Sequence, residues 1–277
     1  MTKLVIFGLG YTAARLAERL RADGWRLAGT SRDGRDGTVA FDDAGRVRAE
    51  LAGATHVLSS VPPDGADDPV LARYGDALAG RWLGYLSSTG VYGDVGGAWI
   101  DESAPIGGGR RRARAEADAA WLARGARVFR LPGIYGPGRS ALERIAAGRA
   151  HRVDAPGQVF SRVHVDDIVA GVIAGFDASA GAYNLADDFP ASQNDVVEFA
   201  ARLLGLPPPP FVPLDSLPAA ARRFYDENRR VANGKAKRVL GWTPLCPDYR
   251  AGLRALNAMT RPNSVSTPPA TASQVQR

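Results

Sequence analysis

The chain has 277 residues, 45% of them hydrophobic and 23% charged, with a formal net charge of +6. That is enough apolar material for a large core, in one unit or two intimate lobes, and makes the protein globular. The single cysteine, Cys246, excludes an intramolecular disulfide, and three histidines leave no clustered zinc spacing, so no metal is expected.

The elements follow in order. Residues 4–7 form an apolar strand too short for a membrane span or signal-peptide core, so a cytoplasmic protein with no membrane partner is expected. The strand runs into Gly8-Leu9-Gly10-Tyr11-Thr12-Ala13 and then a helix whose Leu16, Ala17 and Leu20 share one face. Gly8 suits the tight turn, Gly10 leaves a pyrophosphate unobstructed, and Ala13 lets the helix approach the sheet. The free N–H groups at the helix start, at Tyr11 and Thr12, then face the phosphates.

A second strand over 26–30 is followed by Ser31 and Arg32, where the adenosine ribose of a dinucleotide lies. NAD calls for a carboxylate at this place. Arg32 instead pairs with a 2′-phosphate and Ser31 donates to it, so NADP is expected ahead of NAD, with the neighbouring Asp33 working against it. A third strand over 39–41 leads to Asp42, a candidate partner for the adenine amino group. A fourth over 56–60 leads to Ser60-Val61-Pro62, which borders the nicotinamide side.

Strands over 82–87 and 128–131, and a late one near 182–186, complete a βαβ rhythm of short apolar strands covered on both faces. The turns after Phe7, Thr30, Ser60 and Ser87 should open on one crevice. Beyond residue 132 come Gly-Pro turns, helices near 140–147 and 166–176, and a stiff Pro-rich connector over 206–213. The expected architecture is α/β, a Rossmann doubly wound parallel sheet over 1–165, with the strand near 182–186 returning to it. A smaller C-terminal substrate lobe over 166–256 and a disordered tail over 257–277 complete it. The basic run Arg110-Arg111-Arg112-Ala113-Arg114 accompanies no nucleic-acid module and reads as a solvated helix face or an anionic small-molecule site.

Ser87-Ser88-Thr89-Gly90-Val91-Tyr92-Gly93 resembles the Ser-Ser-x-x-Val-Tyr-Gly segment of extended short-chain dehydrogenases/reductases, the NAD(P)-dependent epimerase/dehydratase family. Arg130-Leu-Pro-Gly-Ile-Tyr135-Gly-Pro-Gly138, His164-Val-Asp-Asp167, Tyr183-Asn184 and Lys235-Ala-Lys-Arg-Val-Leu-Gly-Trp242-Thr-Pro are similar to later segments of that family, in the same order. Within it the chain resembles the atypical YeeZ-like group. The resemblance implies hydride transfer on a carbonyl or alcohol carbon of a small, anionic or nucleotide-linked substrate, and leaves a homodimer open.

It also implies that Ser88 polarises the reacting oxygen. The family's Tyr-x-x-x-Lys pair is broken, because anchoring its helix on Glu116 places Arg112 at the lysine and Gly108 at the tyrosine. No tyrosine stands between Tyr92 and Tyr135. A lost proton relay costs on the order of a hundred- to ten-thousand-fold in rate. Arg112 can still clamp the nicotinamide ribose, or simply face solvent. Tyr92 is a further catalytic candidate or a packing residue, while His164 orders backbone. Tyr135, Arg139 and Arg162 are the substrate-binding candidates. The competing reading is a non-catalytic NADP-binding sensor or scaffold.

Overall fold

The computed structural model describes residues 2–65, 67–107 and 112–260, so Gly108, Arg110, Arg111 and the tail from 261 onward lie outside it. The first half runs β1 (Lys3–Phe7), α1 (Tyr11–Ala22), β2 (Arg26–Ser31), β3 (Val39–Ala40), α2 (Ala44–Ala52), β4 (His56–Ser59), α3 (Pro69–Tyr74), β5 (Trp82–Ser88), β6 (Trp99–Ile100), α4 (Arg112–Ala123) and β7 (Arg127–Leu131). The second half runs β8 (Gly133–Tyr135), α5 (Ala141–Ala146), β9 (Arg152–Val153), β10 (Arg162–His164), α6 (Val165–Ala174), β11 (Gly181–Asn184), α7 (Gln193–Leu204), β12 (Phe211–Val212), α8 (Ala219–Arg222), β13 (Arg230–Val231), α9 (Gly234–Leu240) and α10 (Tyr249–Thr260).

Among the described residues seven strands form one all-parallel sheet in the order β3-β2-β1-β4-β5-β7-β11. Strand order reverses between β1 and β4, which is where doubly wound sheets bind dinucleotides. The period-two alternation of a strand explains why β1 is apolar throughout. Leu4 and Ile6 bury against Leu16 and Leu20 of α1, while Val5 and Phe7 bury on the other face with Val47, Tyr74 and Trp121.

The division expected at residue 165 is corrected by α6. Its Ile168, Val169 and Val172 join Leu16 and Leu20 in the core under the sheet. A parallel β7-to-β11 connection needs a crossover helix, and α6 is that helix. The Asp167 carboxylate then clasps the far end of the chain. Its two oxygens accept the N–H groups of Leu245 at 2.6 Å and Cys246 at 3.1 Å, and its carbonyl accepts the Trp242 indole at 2.9 Å. The lobe proper packs α5, α7 and α10 around Leu142, Val197 and Leu253. Since Leu253 and Leu256 anchor α10 there, the helix continues to Thr260, past residue 257 where a tail was expected.

A buried ion pair joins the sheet to α4. Arg130 on β7 is 3% exposed and Asp118 on α4 is 0% exposed, with Nη2 2.8 Å from Oδ1. Asp118 Oδ2 also accepts from Arg130 Nε at 3.1 Å and from the Ser87 hydroxyl at 2.7 Å. The third Arg130 nitrogen, Nη1, donates to Tyr92, whose hydroxyl donates to Asn184 on β11 at 2.8 Å. Removing one partner strands the other charge in a dry interior, which costs about 3–5 kcal/mol. Asp118→Ala is therefore expected to lose about that much stability in urea unfolding; a loss under about 1 kcal/mol would show the pair to be dispensable.

Asp187, after β11, is 1% exposed, and burial pushes its carboxyl up to about 8. Between the ordinary carboxylate value near 4 and about 8, only the folded state holds the proton. Its contribution to stability is thus complete below that window and lost as pH rises through it. Asp187→Asn should flatten the slope, so that its melting temperature gains on the wild type by on the order of a few degrees between pH 5 and pH 8. An offset independent of pH would show Asp187 ionised in the folded protein.

Candidate active site

The turn after β1 is shaped by its neighbours. Gly8 has φ +80, and a Cβ there would meet Ser60 Oγ and Val61 Cγ2 at 3.1 Å, so a side chain is excluded twice over. The Gly8 N–H donates to Thr30 Oγ1 at 3.2 Å and its carbonyl accepts the Ser60 hydroxyl, which pins β1, β2 and β4 together at their C-terminal ends. A Cβ on Gly10 would meet nothing within 4 Å, so the space over it is open. Helix α1 begins at Gly10 with no side-chain cap and no acidic residue in its first turn. Its exposed N–H groups and positive dipole end are therefore left for an anion, and the residues fit a dinucleotide pyrophosphate. Ala13 is buried against the sheet.

At the ribose end Ser31 Oγ accepts the N–H groups of Gly34 and Arg35 and contacts Asp33 Oδ1 at 3.2 Å. That hydroxyl is the hub of its own turn, and it draws the Asp33 carboxylate back toward the loop. Arg32 stands exposed beside it. Asp42 pairs at the surface with Arg73 at 3.0 Å.

The C-terminal ends of β5 and β7 open on a cavity of about 960 Å³, closed on its far side by the lobe. Ser88, Tyr135, Arg139 and Arg162 all line it. Ser88 Oγ accepts the Gly90 N–H at 3.1 Å as the cap of a short 3-10 turn, which fixes the hydroxyl at the cavity edge. The dinucleotide turn abuts the same wall. Tyr11 donates to the Pro137 carbonyl at 3.0 Å, and the Arg139 guanidinium lies 5.7 Å from the Tyr11 ring.

Two expected residues are elsewhere. Arg112 does not reach the cavity: its side chain is 83% exposed and Nε lies 2.8 Å from Glu116. Helix α4 buries Ala115, Asp118 and Trp121, a face that leaves Arg112 outside and carries Arg114 to the cavity wall, where it donates to Tyr85 at 2.8 Å. Tyr92 is buried and committed to Arg130 and Asn184, so it is part of the frame and not a wall of the cavity. Arg162 is on the wall, yet its Nη1 donates to the Phe160 and Ala191 carbonyls at 2.7 and 2.8 Å. Arg144 and Tyr225 line the cavity with no signal in the sequence, and Arg114 lines it as a member of the basic run read as a helix face or an anionic site. A helical register tied to Trp121 is the one signal that finds Arg114.

His164 caps α6 through Nδ1, which accepts the Asp166 N–H at 3.2 Å. Among the described residues, His164, Asp167 and Cys246 bring potential ligand atoms within 4.8 Å of one another. The set suits a metal poorly. With Nδ1 accepting, the imidazole proton sits on Nε2, both Asp167 oxygens are occupied by backbone, and burial beside carboxylates pushes the Cys246 thiol up to about 12. No helix among the described residues is long and apolar enough to cross a membrane.

No protein-family model matches the chain. A conserved protein of unknown function from Silicibacter pomeroyi is 43% identical, with a TM-score of 0.83 over 94% of this chain and 99% of that one. YeeZ of Escherichia coli strain K12 is 29% identical over 261 residues, 83% of this chain and 93% of that protein. A 3-diazoavenalumate denitrifying reductase of a Streptomyces species is 33% identical over 137 residues, so the match spans only 45% of that protein. The fold is shared with a dTDP-glucose 4,6-dehydratase of Bacillus anthracis in complex with NAD, at TM-score 0.74, 14% identity and 95% and 98% coverage. It is shared also with a human epimerase family protein with NADPH, at TM-score 0.72, 16% identity and 92% and 99% coverage. The parallel sheet, glycine turn and Ser88-to-Gly93 segment thus sit in a fold shared with epimerase and dehydratase structures that hold NAD or NADPH, and the chain is similar along most of its length to YeeZ.

Proposed function

We propose that the protein is an NADP-dependent oxidoreductase that transfers hydride to or from a carbonyl or alcohol carbon of a small anionic molecule. One juxtaposition carries the reading: the uncapped start of α1 with open space over Gly10 lies beside the cavity that holds Ser88 at its edge. A nicotinamide cofactor supplies the hydride. Gly8, Gly10 and Ala13 seat the pyrophosphate, with Tyr11 and Thr12 at the helix start. Arg32 receives the 2′-phosphate, Asp42 lies toward the adenine, and Ser60-Val61-Pro62 borders the nicotinamide. Support for NADP over NAD comes from Arg32 and from the retraction of Asp33 onto Ser31.

Ser88 donates to the substrate oxygen and stabilises the charge that develops there. Arg114 takes the clamping part expected of Arg112, holding a hydroxyl or anion near Ser88 without giving up a proton. The partial likeness to a denitrifying reductase supports net reduction over a closed epimerase cycle. A sensor that binds NADP without turnover is the second reading, favoured by the lack of any tyrosine between Tyr92 and Tyr135.

Arg32→Ala should weaken NADPH binding by about ten- to a hundredfold and NADH binding by less than about threefold, read by fluorescence titration. Equal losses would remove the 2′-phosphate assignment. With NADPH and a panel of aldehydes, ketones and keto acids, followed by absorbance and product analysis, Ser88→Ala should lower kcat by about a hundred- to a thousandfold at unchanged NADPH affinity. Tight NADPH binding with no product from any of them would leave the sensor reading standing instead.

A further inference from the structure

We propose that Arg144, backed by the buried Arg162, anchors an anionic group of the ligand at the lobe end of the cavity, and that the ligand is a small acid with an apolar or aromatic body. The inference rests on the cavity being the substrate site. Arg144 projects from α5 into the cavity, and among the described residues its guanidinium has no hydrogen bond or ion pair. The acid next to it, Glu143, does not neutralise it. Glu143 Oε1 accepts the Gly138 N–H at 2.9 Å, and Oε2 accepts the N–H and hydroxyl of Ser140 in the capping box of α5. Arg144 is exposed as a residue, so only its guanidinium, drawn in among the cavity walls, is partly desolvated; that lowers it from its ordinary range, with Tyr225 and Glu143 opposing the shift.

Behind it Arg162 is 7% exposed. Its donors go to the neutral carbonyls of Phe160, Ala191 and Ser192 and to Gln193 Oε1, and among the described residues it has no ion pair. Asp187, the acid whose field reaches it, forms no ion pair with it among the described residues, and burial pushes that carboxyl up to about 8. A desolvated cation with hydrogen bonds and no counter-charge stands in unfavourable surroundings until an anion supplies that charge. The flanking walls define the rest of the ligand. Phe160 and Tyr225 meet edge to face at 5.4 Å, and Val196, Leu217 and Leu253 continue an apolar lining. A neutral, fully hydroxylated sugar would leave both the charge and the apolar walls unmatched.

The anchor recognises a carboxylate or a phosphate alike, and the choice of probes separates the two. Benzoate, inorganic phosphate and UDP are titrated by calorimetry into the NADPH-loaded wild type, Arg144→Gln and Arg144→Lys. At least one anion should bind the wild type, lose about tenfold or more in affinity with Arg144→Gln, and recover part of that loss with Arg144→Lys. Tighter binding of benzoate supports both the anchor and the small apolar acid, whereas tighter binding of phosphate or UDP supports the anchor and overturns the apolar body. No binding of any of the three, or binding unaltered by Arg144→Gln, overturns it. NADPH affinity is measured in the same proteins and should be the same in all. If the wild type does not bind NADPH, the cofactor assignment fails, and the three titrations on the unloaded protein still decide the anchor.

Discussion

The Arg130 guanidinium, closed off from water and held by Asp118, governs the C-terminal edge of the sheet. A buried charge tolerates little displacement, because each hydrogen bond it loses is lost in a medium that offers no replacement. Through that single group, β7 is tied to α4, α4 to Ser87 at the end of β5, and Tyr92 to Asn184 on β11. Ser88 is the next residue along from Ser87. Its position at the cavity edge is therefore inherited from an ion pair that does no chemistry.

The same economy of polar contacts explains the two ends of the site. At the proposed cofactor end the recognition falls to the backbone, with glycines and an uncapped helix, and few side chains are required. At the lobe end side chains supply it, and they are cations whose neighbouring acids are already engaged in capping or held protonated. The positive charge of the chain is thus placed unevenly with respect to function. Much of it lies at the surface in pairs such as Arg15 with Asp166 and Arg48 with Asp76, where exposed ion pairs contribute little. The fraction lining the cavity has the leverage.

What could be read from the sequence was local. Residues 4–7 and the glycines after them declare a strand and a phosphate turn because the physics involved spans ten residues. The strand over 128–131 was legible for the same reason. What could not be read was tertiary. Spacing to Glu116 points to Arg112, and only the burial of Ala115, Asp118 and Trp121 shows that Arg114 of the same basic run turns inward instead. Tyr92 looks like a reactive hydroxyl until Asn184, 92 residues away, is found to hold it. Helix α6 was assigned to the lobe because it follows the Gly-Pro turns in the chain; its place under the sheet follows from where β11 inserts. Arg144 carried no signal, since an arginine on a short helix is ordinary until it is found to have no partner among the described residues.

The Asp167 clasp has a bearing on how the molecule is made. Its hydrogen bonds to Leu245 and Cys246 span 78 and 79 residues, whereas β1 and its neighbours pair over much shorter loops. Loop closure on that scale is slow and comes after local structure has formed. During synthesis from the N-terminus, the strands that seat the phosphates can pair while the segment reaching Cys246 is still unmade. The lobe wall that α10 completes is then the last part of the cavity to arrive. On the proposed function, the turn that would seat the cofactor is thus made before the wall that would enclose a substrate.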